Sequence, residues 1–93
     1  MQKNYSSSKA VLLEIKQLTE KRDYLRLLFS LTNYKDCAMM FSAVNHIEGR
    51  GFYFVRQEHF PFNMAQEFQM LLEDAIANYN NDIATLNQHL KNI

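Results

Sequence analysis

A chain of 93 residues holds one domain at most, and a core of that size is marginal without help from a second subunit. Hydrophobic residues make up 47% and charged residues 22%, and ten basic side chains balance ten acidic ones. The chain is therefore neither disordered as a whole nor the basic surface that would grip nucleic acid. One cysteine, Cys37, excludes an internal disulfide and fits a reducing compartment.

The opening stretch 1–9 lacks the apolar run of a signal peptide, and no apolar stretch approaches the ~20 residues that span a bilayer. The expected address is cytoplasmic, the host cytoplasm if the chain is viral. Charge is distributed unevenly. Residues 1–50 carry eight basic and five acidic side chains, and residues 51–93 carry two and five. The two halves should attract.

Residues 1–7 are polar and read as a frayed tail that ends in a Ser helix cap. From there the spacing predicts a helix over 8–33, free of Gly and Pro. Val11, Ile15, Leu18, Leu25 and Phe29 advance by alternating four and three, with Arg22 in one slot of the seam. Leu12, Leu13, Leu27, Leu28 and Leu31 widen the stripe at both ends, which suggests more than one neighbour.

The segment Phe52-Tyr-Phe-Val55 is β-prone at every position, and Asn45, Gly49 and Gly51 mark a turn before it. A β-hairpin pairing 38–45 with 51–57 follows, one face covering the helices and the other left for something else. The alternative is that 37–44 prolongs the first helix. Pro61 cannot continue a central strand, and Asn63 with Gln66 three residues on signals the cap of a second helix over 63–92. Its stripe is Leu72, Ile76, Tyr79, Ile83, Leu86, Leu90 and Ile93.

The predicted fold is thus α+β, a single domain over 1–93 in which an antiparallel helix pair carries a two-stranded hairpin. Setting the two helices level at the hairpin places Phe29 near Phe68, Leu25 near Leu72, Leu18 near Tyr79 and Val11 near Leu86. Arg22 then faces Glu73 and Asp74, and Leu90 and Ile93 overhang the start of the first helix. That overhang, with the spare hairpin face, predicts a homo-oligomer, a dimer or larger.

No catalytic constellation is present. Cys37 reads as a small buried hydrophobe, because a nucleophile needs a positioned base. His46, His59 and His89 match no metal-ligand spacing, and Glu73-Asp74 point apart on a helix. No cofactor is implied.

Two binding readings remain. In the first, Phe52, Phe54, Leu86, Leu90 and Ile93 form an oligomer or partner interface, and the protein blocks, sequesters or bridges a protein partner. Nine Asn with abundant Lys, Ile, Tyr and Phe fit an AT-rich genome, in which short accessory chains of phages and mobile elements are common. An inhibitor of a host defence system is the concrete form of that expectation. In the second, Gly49-Arg50-Gly51 at the hairpin tip, with Arg56, Tyr53 and Lys35, grips a nucleotide-like anion at a subunit interface. A purely structural assembly module is a third reading.

Overall fold

Both long helices begin on a side-chain cap. In the computed structural model, which describes residues 7–34, 38–45 and 49–92, the Ser7 hydroxyl accepts from the Ala10 N–H at 3.3 Å and opens helix α1 (Ser8–Leu31). The Asn63 side-chain oxygen accepts from the Gln66 N–H at 2.9 Å and opens α2 (Met64–Lys91). Each cap satisfies one of the N–H groups that a first helical turn leaves free. Helix α1 stops two residues short of the expected 33. The Thr32 N–H is shared between the carbonyls of Leu28 and Phe29, and the Thr32 hydroxyl donates to the Phe29 carbonyl at 2.6 Å, tightening the last turn.

Strand β1 (Met39–Asn45) pairs antiparallel with β2 (Gly49–Val55), with Met39 opposite Val55 and Asn45 opposite Gly49. Residues 39–45 therefore form a strand and do not prolong α1. The second strand begins and ends two residues earlier than predicted. Gly49, Arg50 and Gly51 belong to the ladder, opposite Asn45, Val44 and Ala43, and not to the tip. Glycine is admitted to the strand at Gly51 because its neighbour uses the space. The Tyr53 ring, two residues on and on the same face, lies within 2.7–2.9 Å of where a Gly51 Cβ would be. After β2 a short 3₁₀ turn, η1 (Gln57–His59), replaces the strand predicted as far as residue 57.

The helices run antiparallel and bury one seam against the other. Val11, Leu72, Ile83 and Leu86 are buried, and Ile15, Leu18, Leu25, Phe29, Ile76, Tyr79 and Leu90 are half-buried. The register differs from the expected one. Arg22 Nη1 donates to the Asn80 side-chain oxygen at 3.0 Å, and Gln69 Nε2 donates to Thr32 Oγ1 at 2.7 Å and Asn33 Oδ1 at 3.0 Å. These contacts displace α2 by four to five positions, a little over one turn of ~3.6 residues.

The cause is the connector. Gln57 Oε1 accepts from the Met64 N–H at 2.8 Å while Gln57 Nε2 donates to the Phe62 carbonyl at 2.6 Å. The first turn of α2 is thereby fixed beyond the end of α1, with Met64 buried. Two expectations fall with the shift. Arg22 meets Asn80 and its neighbour Asp23, not Glu73 or Asp74. Leu90 is drawn level with the first turns of α1 and no longer overhangs it, while Ile93 lies outside the described residues.

The hairpin does not lie over the helices. Extensive packing joins α1 to α2 and β1 to β2 alone. The hairpin meets the helix pair at its base, where Ala38, Met39 and Met40 line a cleft of about 330 Å³ with Leu28, Leu31 and Phe68. The result is an elongated, flattened outline of 52 × 34 × 19 Å. Its radius of gyration is 18.1 Å, against about 12 Å for a compact chain of this length.

Candidate protein-binding surface

Strand alternation sorts the exposed hairpin side chains onto two faces. On one face Met40 and Phe54 are cross-strand neighbours, 57% and 60% exposed. Arg56 follows on the same face, its guanidinium carbon 5.8 Å from the centroid of the Phe54 ring. That distance is within reach of a cation–π contact, worth about 0.5–1 kcal/mol where exposed. On the other face the exposed Tyr53 ring covers Gly51.

The connector holds this surface from below. The Arg56 N–H donates to His59 Nδ1 at 2.9 Å, so the imidazole across η1 pins the backbone at Arg56. The Phe60 and Phe62 rings stand 5.2 Å apart at 45°, a tilted pair in the connector just before α2. Met40, Phe54 and Arg56 therefore form a surface in which a charged, planar group lies over an aromatic ring. Such Arg and aromatic side chains are enriched where proteins meet other proteins.

Of the predicted ligand-binding residues, the two whose side chains are described do not converge. Tyr53 and Arg56 lie on opposite faces of the hairpin. Gly49 and Arg50 are in the ladder, and for Arg50 and Phe52 only the backbone is described. Lys35 lies outside the described residues. Of the predicted interface residues, Phe54 is exposed, Leu86 is buried within the helix pair and Leu90 is half-buried there.

Among the described residues, no three His, Cys, Asp or Glu side chains come close enough to hold a metal ion, and no helix is long and apolar enough to cross a membrane. An open groove of about 640 Å³ runs along one flank of the helix pair, lined by Gln17, Glu20, Tyr24 and Leu25 of α1 and Tyr79 of α2.

Sequence reasoning missed Gln57 and His59, which fix the connector. His59 stands three residues after Arg56, the spacing of a local side chain to backbone bond, and could have been found. Gln57 reaches five and seven residues along the chain and carries no such signal. Comparison with known protein families, curated proteins and solved structures finds no match to this chain.

Proposed function

We propose that this chain is a non-enzymatic protein-interaction module that works as a homo-oligomer, presenting its hairpin to a protein partner that it blocks, sequesters or bridges. One observation carries the reading: among the described residues more large apolar side chains are exposed than are buried. Among the described residues five apolar side chains are buried, while twelve large ones are exposed, on the hairpin and on the outer face of α1 above all.

The total accessible surface is 7700 Å², against about 5,600 Å² for a compact monomer of 11.0 kDa. The excess, roughly 2,100 Å², exceeds twice the ~800 Å² that each partner commits to a standard interface. It is enough for a second copy and for a different partner. A lone two-stranded hairpin is also marginal in water, so covering the Met40–Phe54 face stabilises it.

The anion-binding alternative draws less support, because Tyr53 and Arg56 face opposite ways. Native mass spectrometry of the protein purified from cells tests both readings. A homo-oligomer free of small molecules is expected. A bare monomer at micromolar concentration overturns the oligomeric reading. A co-purified anion that disappears in the Arg56→Ala variant puts the ligand binder ahead.

A further inference from the structure

Helix α1 carries a second seam. Positions 13, 17, 20, 24, 27 and 31 advance by alternating four and three, the repeat of a coiled coil. Leu13, Tyr24, Leu27 and Leu31 are 57%, 62%, 55% and 47% exposed, and Gln17 and Glu20 between them are exposed too. At about 100° per residue this row lies on the side of the helix opposite Val11, Leu18, Leu25 and Phe29, which pack on α2. Helix α2 has no seam of this length. Its outer face is apolar only near its start, at the exposed Met70 and Leu71, and continues with Asp74, Asn78, Asn81, Thr85 and Gln88, all exposed. Helix α1 is therefore built to be packed from both sides and is packed from one.

Resting on the reading that the chain works as a homo-oligomer, we propose that the occupant of this seam is α1 of a second copy, running antiparallel about a two-fold axis level with Arg22. The spacing selects a helix, because a 3.5-residue repeat keeps facing its partner only when that partner is helical. The order of residue types selects the same helix and its direction. Antiparallel about position 22, Leu13 meets Leu31 of the second copy, Gln17 meets Leu27, and Glu20 meets Tyr24, whose hydroxyl can donate to the carboxylate. A parallel pair would set Glu20 against Glu20 in the seam, two like charges in one layer.

The overlap from 13 to 31 is about 27 Å long. The open groove beside Gln17, Glu20 and Tyr24 gives the incoming side chains room. The surface in excess of a compact monomer is more than an isologous interface of standard size requires.

Sedimentation equilibrium of the full chain and of a Leu13→Asp/Leu27→Asp variant tests the surface. The variant places four charges in the interface of each dimer. It should raise the dimer dissociation constant about 100-fold or more, whereas Phe54→Ser should leave it unchanged. Spin labels at Lys9→Cys in a Cys37→Ser background test the direction without disturbing the seam. The antiparallel pair sets the two labels about 39 Å apart along the axis, and a parallel pair sets them about one interhelical distance apart, ~10 Å plus the label arms.

A wild-type oligomer that persists undiminished in the Leu13→Asp/Leu27→Asp variant overturns this inference and leaves the oligomeric reading standing. A short label distance overturns the antiparallel arrangement. A wild-type chain that is monomeric at every concentration overturns both.

Discussion

The Arg22–Asn80 contact is the sharpest test of how the two helices are set against each other. Arg22 occupies a seam position, its side chain 19% exposed, and its guanidinium donates to the Asn80 side-chain oxygen at 3.0 Å. A hydrogen bond from a charged donor contributes about 1.5–3 kcal/mol when buried. Asn80 is half-buried and Arg22 keeps some solvent, so a coupling of about 1 kcal/mol is expected. The ion pair to Asp23 at 3.2 Å involves a carboxylate that is 57% exposed, and such pairs contribute little.

The measurement is a double-mutant cycle by urea unfolding, at one fixed protein concentration because association adds to apparent stability. Arg22→Met and Asn80→Ala, alone and together, should show that coupling, well above the ~0.3–0.5 kcal/mol scatter of independent sites. Arg22→Met combined with Glu73→Ala or Asp74→Ala should show none. Coupling to Glu73 or Asp74 in place of Asn80 would refute the register, and with it the account of why Leu90 does not overhang.

Three further outcomes are expected. Gln57→Ala removes the bonds to the Phe62 carbonyl and the Met64 N–H, costing roughly 1–2 kcal/mol; the Met64 amide should lose hydrogen-exchange protection while amides in the middle of α2 keep theirs. Asn63→Ala should lower stability by about 1 kcal/mol, and Asn63→Gly by only a few tenths, as a cap predicts; equal losses would argue against capping. Gly51→Ala introduces a Cβ 2.7 Å from the Tyr53 ring, so the ring must swing away and its lost contact offsets the ~0.5–1 kcal/mol that alanine gains over glycine. Stability should barely change in the wild type and rise in a Tyr53→Ala background, and an identical effect in both would remove Tyr53 from the explanation.

What was legible in the sequence was local. The seams of both helices, the Asn63 cap and the β-prone run at 52–55 are each set by residues within a few positions of one another, and each appears where the spacing placed it. The register was not legible. It is fixed by a 3₁₀ turn at Gln57–His59 whose side chains bond to the backbone up to seven residues away, and a prediction that brings the chain straight out of the hairpin slips by a turn. The glycines misled for a related reason. Gly49 and Gly51 look like turn residues until Tyr53 is seen to fill the space above Gly51. The second row on α1 was visible only as surplus leucines at its ends, because the polar Gln17 and Glu20 interrupt it where a continuous stripe is sought. The scattering of Tyr53 and Arg56 across two faces follows from strand alternation once the hairpin is granted.

The extended outline has a practical consequence for anyone counting subunits. A radius of gyration of 18.1 Å is what a compact protein of about 250 residues would have. On a size-exclusion column a single copy of this chain would therefore run ahead of globular standards of its own mass, toward the position of a compact dimer. Retention volume confounds length with stoichiometry for this molecule, and the subunit count belongs to methods that weigh particles instead of gauging their reach.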